Sequence, residues 1–389
     1  MGELQEHLNV GLALAMSRRW DEAAREFQLA AQADPSDAEA HFQLGKALQA
    51  QSKAAEAEKA LARCCELDPS RVEARTRLGM VVALQGRRDE AAELLKEALA
   101  KDSGNVLALN ALGDLRMAQG QLEEAARSWE RSLSGQFGQA ETAFKLGYAL
   151  EALGRLEDAA ARYQAAQQIH PGRLPVLLAL AGVQERLGRF LDAAGTLGEA
   201  VTQRSQDATL MSRWAAALDA AGESAAAESA LKQAYAADAK NPVVAGRLGL
   251  HLAAHGHSTE ARPLLRQAAE ALPEGSERWL AEAALMQAEG SMDAALGLFR
   301  KVVEQEPKRA GAWESLAGLL YRRGDLDGAR HAYQQLAGLQ PSHVEAQLRL
   351  GSLHLKLGQK DLARAAWEQA LKLDPGNAIV RKNLAVLKD

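Results

Sequence analysis

The stretch that decides the fold is Val344–Asn377, which reads VEAQLRLGSLHLKLGQKDLARAAWEQALKLDPGN. Its first half repeats apolar residues at helical spacing, at Ala346, Leu350, Leu353 and Leu357. Its second half resumes the pattern with Ala363, Trp367 and Ala370. Gly358 separates the halves and Pro375 closes the unit, because glycine at positive φ ends a helix at little cost and proline cannot continue one. The stretch predicts a two-helix hairpin that is too small to bury its own apolar face.

Copies of this hairpin recur along the chain with a period of 34 residues. The position of Ala363 is alanine in all eleven copies, at Ala23, Ala57, Ala91, Ala125, Ala159, Ala193, Ala227, Ala261, Ala295, Ala329 and Ala363. The position of Gly351 is only glycine or alanine, and that of Gly358 is glycine in nine copies but Arg18 and Ser52 in the earliest two. A register held without insertion indicates an array of stacked units, each of which contacts its neighbours along one continuous core.

The period and the small residues resemble the tetratricopeptide repeat family, whose unit is a 34-residue helix–turn–helix. In the last copy the matching residues are Leu350, Gly351, Gly358, Ala363, Trp367, Ala370 and Pro375. The resemblance covers residues 4–377 and implies an all-α fold, an α-solenoid in which helix–turn–helix hairpins form a right-handed superhelix. We predict a single solenoid over residues 1–389, with repeats at 4–37, 38–71, 72–105, 106–139, 140–173, 174–207, 208–241, 242–275, 276–309, 310–343 and 344–377.

Two segments depart from the regular hairpins. Residues 378–389 are predicted to form a C-terminal capping helix, which a solenoid needs at an open end. We expect Leu384 and Ala385 to face inward, and we expect three basic residues to face water, at Arg381, Lys382 and Lys388. The junction at 134–138, SGQFG, has two glycines and no proline, which predicts an ordinary turn with different chemistry or, alternatively, a hinge.

Composition excludes several classes of partner. An apolar content of 47% with only 4% aromatic residues indicates a core of alanine and leucine between closely packed helices. The formal net charge of −5 and the absence of blocks of like charge argue against binding to nucleic acid or to an anionic membrane. No run of 18 apolar residues exists, so we also predict no direct insertion into a membrane.

The N-terminus reads as the first helix of repeat one rather than as a signal peptide. We therefore predict a cytoplasmic protein, or a periplasmic one if a targeting segment has been removed. Because the repeats run almost from end to end, we favour a piece of a longer protein over a protein made only of repeats. Cys64 and Cys65 form no disulfide framework, and Cys64 is predicted to be a small core residue rather than half of a redox pair.

No motif in the sequence indicates catalysis. The chain lacks a phosphate loop, a dinucleotide fingerprint, a CxxC pair and a nucleophile elbow, so we predict a non-enzymatic protein without a cofactor. His251 and His255 have the i, i+4 spacing that could present two ligands to zinc, and His257 follows closely. We interpret these three as surface histidines and predict no metal site.

The resemblance implies that the first helices of successive repeats line a concave groove. Carried onto this chain, that surface contains the candidate partner-binding residues Phe42, Lys46, Met80, Asn110, Asp114, Phe144, Tyr148, Glu151, Leu178, Glu185, Arg186 and Asp219. The apolar members are predicted to form a strip for an extended peptide or an amphipathic helix, and the charged members, including an acidic line, to set its register. The alternative is that most of these residues contact the neighbouring repeat.

The favoured function is a protein–protein interaction scaffold or adaptor whose groove binds a peptide or helix of a protein partner. Members of the family that hold a chaperone's C-terminal carboxylate combine a fifth-position lysine with a ninth-position asparagine. Here Lys46 is ninth and Asn110 is fifth, in different repeats, so we predict no such clamp. Two alternatives stay open: the substrate-recognition arm of a larger enzyme, such as a glycosyl- or sulfotransferase, and an envelope or secretion assembly factor. Self-association of the concave and convex faces is a further alternative.

Overall fold

The computed structural model describes residues 2–136, 138–341 and 343–387, and within these ranges it contains helices and turns but no strand. The chain divides into two compact units, Met1–Leu187 and Gly188–Asp389. The predicted all-α fold, an α-solenoid of tandem hairpins, is therefore confirmed. The organisation as one solenoid with eleven repeat boundaries stays a prediction.

The helices of each unit follow one another at short intervals. In unit one they are α1 (Gly2–Met16), α2 (Trp20–Ala33), α3 (Ala38–Ala50), α4 (Ala54–Leu67), α5 (Val72–Leu84), α6 (Arg88–Lys101), α7 (Val106–Ala118), α8 (Leu122–Gly135), α9 (Ala140–Ala152), α10 (Leu156–Ile169) and α11 (Leu174–Arg186). In unit two they are α12 (Phe190–Gln203), α13 (Ala208–Ala220), α14 (Ser224–Ala237), α15 (Pro242–Ala254), α16 (Ser258–Ala271), α17 (Ser276–Ala288), α18 (Met292–Gln305), α19 (Ala310–Arg323), α20 (Leu326–Leu339), α21 (Val344–Lys356), α22 (Lys360–Leu373) and α23 (Ala378–Val386). Within each unit, sequential helices pack on each other, as stacked hairpins require.

The repeated small residues lie where paired helices touch. All eleven alanines at the Ala363 position have no exposed surface. The large apolar position of the second helices is buried as well, at Phe27, Trp129, Tyr163, Phe299, Tyr333 and Trp367. At Gly147 an added Cβ would lie 2.7 Å from the ring of Tyr163, so even one methyl group would force the ring to move. The small residues are therefore required by close helix contact.

The turn inside each hairpin uses a left-handed backbone. Gly358 has φ of 75°, and the equivalent glycines of the other copies also have positive φ. Arg18 and Ser52 occupy this position in the first two copies and adopt φ of 57° and 59°. This conformation costs an L-residue about 1–2 kcal/mol, so the packing of the two helices dictates the turn even where glycine is absent.

The capping helix α23 uses a different inner face from the one predicted. Val380 has no exposed surface, Leu387 is buried and Leu384 is partly buried against the preceding hairpin. Ala385 is exposed, so its predicted inward position is wrong. The reason is helical periodicity: residues 380, 384 and 387 share one face, whereas residue 385 is rotated away from it.

Two other expectations concern the ends of elements. Arg381 and Lys382 are exposed as predicted, whereas Lys388 lies outside the described residues. At the unusual junction, α8 ends at Gly135, Gly138 has φ of 86°, and Phe137 lies outside the described residues. Whether this junction bends as a hinge stays a prediction.

Candidate functional site

The predicted groove begins in unit one with Phe42 and Lys46 on α3. Phe42 is only 2% exposed. The Nζ atom of Lys46 lies 5.2 Å from the centre of the Phe42 ring, and the guanidinium carbon of Arg71, at the start of α5, lies 3.9 Å from it. Cation–π contacts of this kind cover the ring. Phe42 therefore packs in the core, as the alternative interpretation expects, and Met80 on α5 is half-buried.

The polar candidates on α7, Asn110 and Asp114, form hydrogen bonds with residues of the next hairpin. Asn110 Nδ2 donates to Oε1 of Gln139 at 2.9 Å, just before α9 begins. The carboxylate oxygens of Asp114 accept from Lys145 Nζ on α9 at 2.8 and 2.9 Å. These two candidates thus have partners inside the chain, on the neighbouring repeat.

The aromatic candidates lie on α9. Phe144 is half-buried, and its ring centre is 5.6 Å from that of the fully buried Tyr163. Tyr148, one helical turn further on, is 54% exposed. Leu178 is half-buried on α11, which packs against α9. Tyr148 is therefore the predicted groove residue that offers a large apolar surface to solvent.

Glu151, the first member of the predicted acidic line, sits between two donors. The Tyr163 hydroxyl donates to Oε2 of Glu151 at 2.9 Å, and Arg186 Nη1 donates to Oε1 at 2.9 Å. Burial raises the pKa of Tyr163, and its hydrogen bond to Glu151 raises it further. Glu185 is half-buried on α11, and Arg186 is exposed. Glu151 on α9 is therefore hydrogen-bonded to both α10 and α11.

Asp219 belongs to unit two, at the end of α13, and lies beside histidines of α15. Its Oδ1 is 3.3 Å from Nδ1 of His251. His255 follows α15, and its Nδ1 lies 2.9 Å from the carbonyl oxygen of His251. One ligand-capable atom from each of Asp219, His251 and His255 lies within 4.8 Å of the other two. The contact with His251 lowers the pKa of the Asp219 carboxyl, and the charges of both histidines add to this.

The interpretation of three surface histidines is partly wrong. His255 and His257 are exposed as expected, but His251 is only 6% exposed. The sequence carries a signal for this: His251 is at the tenth position of its repeat, where the other ten repeats have alanine, valine or leucine. In eight of those ten repeats the tenth-position residue is buried, so a histidine there is expected to lie among apolar neighbours.

The cysteines behave as packing residues. Cys64 has no exposed surface and Cys65 is half-buried, and both are free thiols. Burial raises the pKa of Cys64 to about 11, so the thiol is protonated at neutral pH. Because the thiolate is the nucleophile, burial lowers the reactivity of Cys64. The absence of exposed surface confirms the prediction of a small core residue.

Stacked helical hairpins with an alanine-lined core define the class of α-solenoid repeat proteins. The tetratricopeptide repeat family model matches residues 42–106, 110–173, 247–310, 287–343, 314–378 and 348–387, more than half of the chain. The chain belongs to the tetratricopeptide repeat family. Proteins of this family are typically protein-interaction scaffolds and are generally non-catalytic.

Solved structures with similar folds include several repeat proteins. MamA is 23% identical over 43% of this chain and 93% of its own, with a TM-score of 0.39. PilW, described as a type IV pilus biogenesis factor, is 18% identical over 51% and 92%, with a TM-score of 0.46. Yeast Tom70 is 14% identical over 99% and 95%, with a TM-score of 0.42. No curated protein sequence matches the chain.

No helix in the described ranges combines the length and apolar character needed to cross a bilayer. The cytoplasmic location stays a prediction.

Proposed function

We propose that the chain is a non-enzymatic scaffold or adaptor that binds a peptide or helical segment of a partner protein on the first helices of unit one. The observation that carries the proposal is Tyr148, which is 54% exposed on α9 although the opposite face of this helix is buried. A tyrosine offers a large, rigid contact surface with a polar tip, and such residues are common hot spots of protein interfaces. Phe144 and Leu178, both half-buried on α9 and α11, would widen the contact.

The charges around Tyr148 favour recognition through apolar contact. Asp114 is paired with Lys145, and Glu151 is paired with Arg186 and Tyr163. A partner would have to compete with these internal pairs to gain a charge contact here. The proposed interaction is therefore only weakly dependent on salt, because screening acts on charge contacts and leaves apolar burial largely unaffected.

The test replaces Tyr148 by alanine in the full chain. A partner captured by the wild-type chain is purified, and its affinity is measured by titration calorimetry for the wild type and for Tyr148→Ala. If Tyr148 is a hot spot, the affinity falls by about 30-fold, which corresponds to the 2 kcal/mol typical of such residues. Tyr148 is preferable to Phe144 as the test site, because Phe144 packs on Tyr163 and its removal would also disturb the core.

The matched control is Leu362→Ala on α22, since Leu362 is 52% exposed and lies outside the proposed surface. The control should bind like the wild type, and both variants should keep the wild-type melting temperature. Equal affinities of Tyr148→Ala and wild type would refute the proposed surface. An equal loss in both variants would show that exposed apolar area in general, rather than Tyr148, drives association.

A further inference from the structure

Three side chains that can bind a metal converge in unit two. Asp219 comes from the end of α13, His251 from α15, and His255 from the residue after α15. Their ligand-capable atoms lie within 4.8 Å of one another. The three residues come from two successive repeats, so an ion held by them would join the first helices of those repeats.

His251 is the most informative of the three. It is 6% exposed, and neither ring nitrogen has a well-formed hydrogen bond among the described residues. Its contact with Asp219, 3.3 Å from Nδ1 to Oδ1, is close without having hydrogen-bond geometry. A buried polar group without a partner costs about 1–3 kcal/mol, so a histidine in place of the usual aliphatic residue requires a compensating interaction. A bound cation would supply one.

His255 keeps one ring nitrogen available for a metal. Its Nδ1 lies 2.9 Å from the carbonyl oxygen of His251, so this nitrogen carries the proton and donates it. The lone pair is then left on Nε2. Metal-ligating histidines almost always donate their other N–H to a carbonyl or carboxylate in this way. The two rings lie side by side, with centres 4.3 Å apart and planes inclined by 30°.

We propose that Asp219, His251 and His255 form a binding site for a divalent transition-metal ion of the zinc type. Two imidazoles and a carboxylate are a donor set that zinc accepts, with water in the fourth position of a tetrahedron. Ligand atoms of such a site lie about 3.4 Å apart, given metal–ligand bonds near 2.1 Å. Asp219 and His251 already meet this spacing, and the exposed side chains of Asp219 and His255 can rotate to complete it.

The test is a zinc titration of the full chain without an affinity tag, followed by calorimetry. We expect one Zn²⁺ per chain and a higher melting temperature with zinc, because an ion that binds only the folded state stabilises it. Asp219→Asn and His255→Ala should each weaken zinc binding by about tenfold or more, which is the lower end of losses seen even for supporting residues of metal sites. Cobalt provides a second readout, since coordination by the chain changes its visible spectrum.

The matched control is His257→Ala. His257 is exposed and two residues from His255, yet it is not part of the converging group. This variant should bind zinc like the wild type. The proposal is overturned if the wild type binds zinc no more tightly than the double variant Asp219→Asn/His255→Ala, or if His257→Ala loses as much affinity as His255→Ala. His251 is left unchanged because its replacement would alter the core, and the melting temperature without zinc shows that each variant is folded.

Discussion

Glu151 and Asp219 occupy the same twelfth position of two repeats, one in each unit, and their surroundings differ completely. Glu151 accepts hydrogen bonds from Tyr163 and from Arg186, which follows it by 35 residues. The residue 35 positions after Asp219 is Ala254, which has no group to donate. The repeat thus places a carboxylate at the same point in both units, but the neighbours decide what that carboxylate can do.

The second helices enlarge the difference. Tyr163 of α10 corresponds to the buried Leu231 of α14, so Asp219 has no tyrosine hydroxyl beside it. The hydroxyl that reaches it from α14 is that of Ser224, which donates to Oδ1 at 3.4 Å. The Asp219 carboxylate also faces His251 and His255. The family model leaves residues 174–246 unmatched, and Asp219 lies in this stretch. A carboxylate at one repeat position therefore has different neighbours in the two units, and these neighbours determine what it can bind.

The largest expected effect tests whether the surroundings of Glu151 and Asp219 are built on the same close helix contact. Ala159 and Ala227 occupy the same repeat position in unit one and unit two, and neither has exposed surface. Replacing either one by leucine should overpack the helix contact and lower the free energy of unfolding by about 3 kcal/mol, the upper end for added core methylenes. Ala161→Leu is the control because Ala161 is exposed. Thermal unfolding in which only one of the two buried sites responds would contradict a common framework.

The next effect concerns the internal role of Glu151. Tyr163→Phe removes the hydroxyl that donates to this carboxylate, and a hydrogen bond to a charged group contributes about 1.5–3 kcal/mol. We expect the free energy of unfolding at pH 7 to fall by about 2 kcal/mol, with Tyr148→Phe as a control that changes an exposed hydroxyl and has almost no effect. Denaturant unfolding measures both. Equal stability of the two variants would mean that Glu151 gains nothing from Tyr163.

The same variant has a distinctive pH dependence. The pKa of Tyr163 is raised in the folded state, so the unfolded chain loses this proton first as the pH rises. The stability of the wild type therefore decreases above about pH 10, the ordinary pKa of tyrosine, whereas the phenylalanine variant lacks this contribution. The gap between wild type and Tyr163→Phe should narrow from pH 8 to pH 11. A gap that widens over this range would contradict the assigned burial and hydrogen bond.

The sequence predicts the stacked helical hairpins well, because their helix contacts follow the 34-residue repeat. Eleven alanines in phase identify the helix contacts, and the left-handed turn forms even at Arg18 and Ser52. The sites are harder to predict, because they depend on which side chains meet across neighbouring repeats. Phe42, for example, has the repeat position of a groove residue, but Lys46 and Arg71 cover its ring.

The burial of His251 can be predicted from the sequence, whereas its contact with Asp219 cannot. The i, i+4 spacing of His251 and His255 is compatible with zinc, whereas their place near the inter-helix turn predicts surface histidines. A comparison of the tenth position across all repeats would have placed His251 in the core, since every other copy is aliphatic there. The contact of His251 with Asp219, 32 residues earlier in the chain, cannot be predicted in this way, because no local pattern links the end of α13 to α15.

The smallest effect comes from making the second region resemble the first. Ala254→Arg would place a guanidinium 35 residues after Asp219, at the spacing that joins Glu151 to Arg186. Within unit two, the same spacing joins Tyr321 to Lys356, whose atoms lie 2.6 Å apart. The new arginine should capture the Asp219 carboxylate, and zinc binding should weaken by about tenfold, because a charge-assisted hydrogen bond of about 1.5 kcal/mol must be broken first.

Ala254→Gln is the matched control, since it adds a long side chain at the same exposed position without the charge. It should bind zinc almost as tightly as the wild type in the same calorimetric titration. If both variants bind zinc like the wild type, the carboxylate is not being captured, and the contrast between Glu151 and Asp219 does not arise from the missing arginine. If only Ala254→Arg loses affinity for zinc, one substitution is enough to make the surroundings of Asp219 resemble those of Glu151. The Asp219 carboxylate then forms an internal ion pair and is no longer available beside the two imidazoles.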